Sequence, residues 1–401
     1  MATIFDYYND EHIERKLKLI AKLIKEGRHP KDIRKLAVDL DAWFDEFYSI
    51  AKARIKGVEK NPESGKLYFN LEDLRFATPK IVADYRAKRL KCEKIVDLCC
   101  GIGFQTFSFA KKSKKVLAID IDERKITYAM KNAEILGLKN IRFVKGDALS
   151  VVEVVKKFMP DIIFCDPERL ASEEKRALER IKPSINPLLS NYSEITCNIS
   201  IEMPPQIKEL NFEEVFEKEY ISLQGELNRL NLYFGKLKKY DISVVALPEE
   251  KVLGRKNKEK QKEKEEKENA AAKSPCEYIY EASEAVTKSG LLQELIRETK
   301  TKLHYSDERI SLATSDKPVA SPFFKNKFRF IVKTYQKDVK ELINALKKSD
   351  IGKIVLRKNI PPNEYWSEKK KIEEQISGSR TAHLFFIGDA VVICEKIKQK
   401  H

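Results

Sequence analysis

The chain has 401 residues, of which 42% are hydrophobic and 35% charged, and its formal net charge is +15. This composition excludes a wholly disordered chain, and no apolar run approaches the ~20 residues that a bilayer-spanning helix needs. The length predicts two or three domains. Because Met1 to Asp10 lack the basic and apolar regions of a signal peptide, we expect a cytoplasmic protein.

Charge and cysteine content limit which partners, disulfides and metals we expect. Seven cysteines and five histidines occur without a C-x-x-C pair, so we expect neither a disulfide framework nor a bound metal. The excess of Lys and Arg favours a polyanionic partner, because basic side chains release counterions from phosphates. A Lys- and Glu-rich surface that serves solubility or stability explains the same charge equally well.

Residues 1–90 are predicted to form a helical N-terminal region. Apolar residues recur at helical spacing in two stripes: Ile13, Leu17, Ile20 and Ile24, then Leu36, Leu40, Trp43 or Phe44, and Phe47. Pro30 fits the first turn of the second helix. A third helix is predicted from Leu71 to Leu90, directly before the first strand.

Residues 91–248 show short β-branched runs that alternate with helix-length segments. The predicted strands are Lys94–Leu98, Lys115–Asp120, Ile141–Lys145, Asp161–Cys165, Glu194–Ile199, Phe216–Leu223 and Ser243–Leu247. Strands alternating with helices predict βαβ units and a parallel sheet with helices on both faces. The fold class is therefore α/β, with a Rossmann-like sheet.

Two further segments complete the chain. Residues 249–275 are rich in Lys and Glu and nearly devoid of large apolar residues, which is typical of a charged linker or a single solvated helix. Residues 276–401 alternate strand-like and helix-like runs. They are predicted to form a small α/β domain that includes a helix around Val339 to Leu346.

A glycine-rich turn after the first predicted strand is the main candidate ligand site. Asp97, Gly101 and Gly103 form D-x-x-x-G-x-G, in which glycine lets the backbone approach a ligand closely. NAD enzymes share such a turn, but Thr106 stands where their third glycine would fall. Asp120 ends the second strand, where a carboxylate can accept both hydroxyls of a ribose.

Two more acidic residues follow strands of the same series. Asp147 comes after the third strand, placed to accept from an adenine amino group, and Asp166 after the fourth, at the crevice where open α/β sheets bind ligands. The ordered set resembles the class I S-adenosylmethionine (SAM)-dependent methyltransferases. The resemblance implies SAM as cofactor, with the two glycines at its methionine end, Asp97 at its amino group, Asp120 at the ribose and Asp147 at the adenine. The predicted cofactor site is Asp97, Cys99, Gly101, Gly103, Asp120, Ile121, Asp147 and Ala148.

Longer segments narrow the resemblance. These segments are LYFNLEDLRFATPKIVADYRAKRL before the glycine turn, DPER at Asp166, ISLQGELNRLNLYFG after Asp166, and the final α/β domain. Together they resemble methyltransferases with a C-terminal THUMP-like domain. That resemblance spans about Leu67 to Ile397, and it implies an RNA substrate, either tRNA or rRNA. Leu170 stands where the family pattern has a second arginine after Arg169.

The residues after the fourth strand are the candidate catalytic group. Asp166 and Pro167 supply half of the [D/N]-P-P-[F/Y/W] motif of enzymes that methylate exocyclic amines, while Glu168 and Arg169 occupy the remaining places. We therefore predict methylation at a base nitrogen, with Asp166 orienting the target and Arg169 available to stack on a base. A surface salt bridge from Arg169 to Glu173 is the structural alternative.

Two other functions stay open at the sequence level. Cys197, in ITCNIS at the end of the predicted fifth strand, resembles the nucleophile of uracil-C5 methyltransferases, which add a thiolate to the pyrimidine ring. A cysteine in a buried strand is also an ordinary small hydrophobic residue. Because the aromatic half of the motif at Asp166 is missing, a noncatalytic RNA-binding or assembly factor with a methyltransferase fold is the remaining alternative.

Overall fold

The computed structural model describes residues 3–169, 181–207, 210, 212–256, 272, 274–335, 339–358 and 360–397, apart from the side chains of Asp41 and Arg169. The chain divides into two compact units, Met1–Glu217 with Leu230–Lys239, and Lys218–Arg229 with Tyr240–His401. Within the described residues, no helix is both long and apolar enough to span a membrane.

The first unit opens with five helices. They are α1 (Asp10–Lys25), α2 (Pro30–Leu36), α3 (Phe44–Gly57), α4 (Leu71–Phe76) and α5 (Lys80–Arg89). The first predicted stripe is confirmed, since Ile13, Leu17 and Ile20 are buried along α1, and Pro30 begins α2 as predicted. The second stripe does not lie on one helix, because α2 ends at Leu36, which is 54% exposed, and Phe47 belongs to α3. The single helix predicted from Leu71 to Leu90 is wrong, because Pro79 lacks an N–H and disfavours helical backbone before it.

These helices share a core with the helices that follow the glycine turn, α6 (Phe104–Ala110) and α7 (Glu123–Ile135). Phe47, Phe69, Phe104 and Tyr128 belong to one buried cluster. Polar contacts fix the same packing. Both guanidinium nitrogens Nη1 and Nη2 of Arg124 donate to the buried carboxylate of Asp73 at 2.8 Å, and the Tyr128 hydroxyl donates to Glu46 Oε1 at 2.6 Å.

The sheet of the first unit confirms the predicted Rossmann-like α/β class. Its strands are β1 (Lys94–Asp97), β2 (Lys115–Asp120), β3 (Ile141–Lys145), β4 (Ile162–Cys165), β7 (Ile199–Met203) and β9 (Glu226–Phe234), and a separate small ribbon joins β5 (Glu168–Arg169) to β6 (Ile181–Lys182). The order is β9-β7-β4-β1-β2-β3. All neighbours are parallel except β7 and β9. Helices α8 (Val152–Phe158) and α9 (Ile185–Ser193) complete this unit.

The fifth strand lies later in the chain than predicted. Residues 194–198 form a turn in which Thr196 Oγ1 and Asn198 Nδ2 both donate to the carbonyl of Asp161, so the strand begins only at Ile199. The prediction ended at Ile199 because Glu202 interrupts the apolar pattern of the strand. That carboxylate is buried in the structure and pairs with Arg86.

The second unit contains two sets of paired strands. Strand β8 (Phe216–Leu223) runs parallel to β10 (Ile242–Leu247), which pairs antiparallel with β11 (Lys251–Arg255). The larger sheet has the order β13-β14-β12-β15-β18-β17-β16, and its strands are β12 (Tyr278–Ala282), β13 (Lys302–Ser306), β14 (Ser311–Ser315), β15 (Phe324–Tyr335), β16 (Ile351–Arg357), β17 (Arg380–Ile387) and β18 (Ala390–Lys396). Helices α10 (Glu284–Ser289), α11 (Leu292–Thr299), α12 (Val339–Lys348) and α13 (Pro362–Glu373) accompany it.

The predicted linker over 249–275 begins with regular structure. Strand β11 occupies Lys251–Arg255, and the Arg255 Nε donates to Glu294 Oε1 at 2.6 Å. This strand escaped prediction because its charged residues match the composition of the segment that follows. Residues 257–271 and 273 of the predicted linker lie outside the described residues.

Candidate active site

Three acidic residues meet at the carboxyl edge of the sheet. Asp97 ends β1, Asp120 ends β2 and Asp166 directly follows β4. Because β1 lies between β2 and β4 and all three run parallel, their carboxyl ends point to one edge. The structure thus brings together the side chains on which the predicted site depends.

Asp97 has one carboxylate oxygen that is left without a partner. Its side chain is 1% exposed, and Oδ2 accepts a hydrogen bond from the Thr106 hydroxyl at 2.6 Å. Oδ1 is buried and has no hydrogen-bond partner among the described residues. Burial raises the pKa of Asp97 to about 7, although the Thr106 hydroxyl and the Cys99 amide oppose this effect. An orphaned buried acceptor is the feature that a bound ammonium group would satisfy.

The glycine turn has the backbone that its sequence predicts. Gly101 and Gly103 have φ angles of +53° and +92°, in the left-handed region that favours glycine. A Cβ at Gly101 would meet open space, whereas a Cβ at Gly103 would lie 2.4 Å from the Phe107 ring. The open side of Gly101 therefore leaves room for a ligand against the backbone.

Asp120 is held in place by the turn itself. The Gly101 amide donates to Oδ2 at 2.7 Å and the Asp122 amide to Oδ1 at 2.9 Å. Burial raises the pKa of this carboxyl, which is 8% exposed, and the two amides counteract it. Each oxygen keeps a second lone pair for a ribose hydroxyl. The next residue, Ile121, exposes 66% of its surface beside this carboxylate.

Asp147 and Ala148, in the loop after β3, differ in their exposure to solvent. Asp147 is exposed, and its Oδ1 accepts from the Leu149 amide at 2.7 Å. Ala148 is buried, and its carbonyl accepts from the Tyr192 hydroxyl. These contacts define the loop after β3, and adenine recognition by Asp147 stays a prediction.

Cys99 lies inside the glycine turn next to a second thiol. Its Sγ is 3.7 Å from the Cys165 Sγ at the end of β4. The contact with Cys165, together with burial, raises the pKa of the Cys99 thiol well above its usual range. A thiol that stays protonated is a poor nucleophile, so Cys99 fits a role as lining of the site rather than as a reactive group.

The candidate catalytic residues follow β4 as predicted. Asp166 is half-buried and Pro167 is buried, while Glu168 is exposed and pairs with Lys125 at 3.5 Å between Nζ and Oε2. The side chain of Arg169 and the whole of Glu173 lie outside the described residues. Lys125, at the start of α7, was not found from the sequence, where it reads as an ordinary helix-surface lysine.

Arg86 is a second residue that sequence reasoning missed. It lies in α5, is 0% exposed, and donates to Gln105 Oε1 at 2.7 Å, to Asn231 Oδ1 at 2.9 Å and to Glu202. Burial lowers the pKa of its guanidinium, but Glu202, Tyr233 and Asp166 together outweigh that effect and raise it. No local sequence pattern could reveal this residue, since its partners lie on distant segments.

Cys197 does not lie at this edge, which contradicts its predicted place at the end of a strand. It precedes β7, and its turn is tied to Asp161 at the start of β4. The amino and carboxyl ends of β4 are separated by four strand residues, or about 13 Å. Cys197 is exposed at the opposite edge from Asp166 and cannot attack a base held there.

The described residues contain no group of three or more His, Cys, Asp and Glu side chains arranged to hold a metal ion. The order of strands, the glycine turn and the acidic strand ends instead define the class I methyltransferase fold, whose cofactor is SAM. The orphaned Asp97 oxygen, the open Gly101 backbone and the anchored Asp120 carboxylate fit SAM's ammonium, methionine and ribose parts.

Comparisons with known proteins agree with this class. A crystal structure of a proposed methyltransferase from Porphyromonas gingivalis W83 covers 98% of this chain and 100% of its own, with a TM-score of 0.75 and 18% identity. At that identity the likeness shows the fold alone. It extends over nearly the whole chain.

The methyltransferase region also has sequence relatives. Residues 92–236 match the model of the RNA cap guanine-N2 methyltransferase family. An uncharacterized RNA methyltransferase of Clostridium tetani is 36% identical over 101 residues, which cover 25% of this chain and 22% of that protein. One from Leptospira interrogans is 31% identical over 110 residues, covering 27% and 26%. This chain therefore spans only about a quarter of the length of these relatives.

Proposed function

We propose that this protein is a SAM-dependent methyltransferase that modifies a base nitrogen in RNA, either tRNA or rRNA, with Asp166 orienting the target. The observation that supports it most is the position of Asp166. It follows β4, the strand next to the one that carries Asp97 and the glycine turn. A target base held by Asp166 would therefore lie beside the methionine end of the cofactor.

The residues of the site have separate tasks in this proposal. Bound SAM would supply an electrophilic methyl group. Asp97 Oδ1 would accept from the cofactor's ammonium, Asp120 would accept from its ribose hydroxyls, and the apolar Ile121 side chain would cover its base. Asp147 is proposed to accept from the adenine amino group, as the order of the motifs implies.

Asp166 and Pro167 act on the substrate. A carboxylate accepts hydrogen bonds only, so Asp166 would hold an N–H group of the target base and fix its orientation. Buried Pro167 offers a second acceptor through its carbonyl. The aromatic platform of the four-residue motif is absent, and Arg169, whose side chain is not described, is proposed to stack on the base instead.

RNA as the substrate rests on three observations. The matched family and the relatives are named as RNA methyltransferases, the chain has a net charge of +15, and its C-terminal segments resemble a THUMP-like domain. We propose that the large sheet of the second unit docks the RNA, and that the protein works in the cytoplasm.

Transfer of labelled methyl from SAM to RNA of the source organism tests this function. RNA from a strain that lacks the gene should accept methyl groups, and mass spectrometry of its nucleosides should identify the product. Asp166→Ala should reduce the rate at least ~100-fold while SAM binding persists, because the target loses its orientation. Cys197→Ser is the matched control at the opposite sheet edge and should retain full activity.

A noncatalytic RNA-binding factor is the rival function, favoured by Glu168 and Arg169 in place of the usual motif residues. It predicts that RNA from the deletion strain accepts no methyl group although the protein binds that RNA. Loss of activity in Cys197→Ser would instead support methylation at pyrimidine C5 with Cys197 as the nucleophile. The position of Cys197 at the opposite edge of the sheet argues against that reaction.

A further inference from the structure

An ion pair crosses the carboxyl edge of the sheet in the first unit. Lys125 Nζ lies 3.5 Å from Glu168 Oε2. Lys125 belongs to the first turn of α7, which follows β2, whereas Glu168 comes shortly after the end of β4. Because β1 lies between β2 and β4, the pair joins two segments on opposite sides of the strand that ends at Asp97.

The predicted cofactor site lies between the two ends of this pair. Neighbouring strands are ~4.8 Å apart, so the ends of β2 and β4 are separated by roughly 10 Å. The carboxyl end of β1 and the start of the glycine turn fill that interval. A ligand bound to Asp97 and to the open backbone of Gly101 would therefore lie next to the ion pair.

The backbone on each side of the pair is held by its own hydrogen bonds. Asp122 Oδ1 accepts from the Lys125 amide at 3.3 Å, and the Asp122 amide donates to Asp120 Oδ1 at 2.9 Å. On the other side, Glu168 is paired with Lys182 in the small ribbon of β5 and β6. Opening the ion pair thus requires only rotation of its side chains.

The two side chains differ in how freely they can turn away. The Lys125 side chain is 21% exposed and that of Glu168 is 58% exposed. Burial lowers the pKa of Lys125, but four carboxylates outweigh this effect and raise it. They are Glu168, which has the largest influence of the four, Asp120, Asp73 and Asp122. Lys125 is therefore a charged and enclosed anchor, and Glu168 is the end that can swing into solvent.

We propose that the Lys125–Glu168 ion pair is a strap across the cofactor site that slows both the entry and the release of SAM. Cofactor that passes between the ends of β2 and β4 has to wait until the pair opens. Because the pair forms in the protein alone, it should slow entry and release by the same factor and leave Kd unchanged. The strap would keep SAM in place during methyl transfer without adding to its affinity.

Surface plasmon resonance of the full chain with SAM tests this strap. Glu168→Gln keeps the shape of the side chain and removes its charge, so both rate constants should rise about 2- to 5-fold, as expected for a partly exposed ion pair. Lys131→Gln is the matched control. Lys131 also lies on α7, is 30% exposed and pairs with Asp10 of α1 at 3.1 Å. The control should keep the wild-type rates, and wild-type rates in Glu168→Gln would overturn the proposal.

A double-mutant cycle separates the ion pair from other effects of Lys125, whose charge also acts on Asp120. In a Lys125→Gln background, Glu168→Gln should change neither rate constant, because its partner charge is already absent. A rise there equal to that of Glu168→Gln alone would show that the effect does not pass through the pair, and would refute the proposal. Both experiments omit RNA, so a failure of methyl transfer to RNA would refute the proposed function and leave this result standing.

Discussion

Replacing Asp97 by Asn should stabilise the protein without cofactor and abolish its stabilisation by SAM. Burial raises the pKa of this carboxyl from its ordinary 3.8 to about 7. The difference of roughly three corresponds to about 4 kcal/mol of unfavourable ionisation in the folded state above pH 7, at ~1.4 kcal/mol for each pKa unit. The folded protein thus binds more protons than the unfolded chain between these values, and wild-type stability falls as pH rises through that window. The side-chain amide in Asp97→Asn does not titrate, so the variant does not incur this loss of stability over this pH range.

Thermal unfolding of Asp97→Asn and wild type at pH 5 and pH 8, without SAM, measures the effect. Relative to wild type, the variant should gain about 2–3 kcal/mol in its free energy of unfolding between the two pH values. Saturating SAM should reverse the order at pH 8, because the amide cannot pair with the ammonium group. A difference between the proteins that is the same at pH 5 and pH 8 would refute the reasoning.

Three further substitutions test residues that bind the cofactor or stabilise the surrounding structure. Asp120→Ala should weaken SAM binding about 10- to 100-fold in calorimetry, since two hydrogen bonds to a charged acceptor are lost, and an unchanged Kd would refute the ribose assignment. Gly103→Ala should cost at least ~2 kcal/mol of stability, because φ is +92° and the new Cβ meets the Phe107 ring; equal melting temperatures would contradict this. Asp73→Ala removes both hydrogen bonds between Arg124 and Asp73 and, within the described residues, leaves Arg124 only a 3.9 Å ion-pair contact with Asp122. It should cost about 3 kcal/mol in denaturant unfolding, whereas a loss under ~0.5 kcal/mol would show that the pair is dispensable.

Local sequence predicts the parts of this site that local backbone determines. The glycine turn and the acidic strand ends each depend on a few consecutive residues, so Asp97, Gly101 and Asp120 were found at the correct edge. The alternation of strands and helices likewise predicted β1 to β4 to within a residue at each end.

The residues that escaped prediction depend on distant segments. Glu202 makes a buried strand look polar, and its partner Arg86 lies 116 positions earlier in the chain. Because that strand was predicted five residues too early, Cys197 was assigned to the end of a strand and thus to the wrong edge of the sheet. The amino and carboxyl ends of a strand lie at opposite edges of the sheet. An error in the predicted bounds of a strand therefore assigns a neighbouring residue to the wrong edge, and to chemistry that it cannot perform there.

Cofactor binding should change the protonation of Asp97. Burial raises the pKa of this carboxyl to about 7, so about half of the cofactor-free molecules carry a proton on it at neutral pH. An ammonium group beside the carboxylate favours its charged form. At and below pH 7, cofactor binding should therefore release a proton from Asp97.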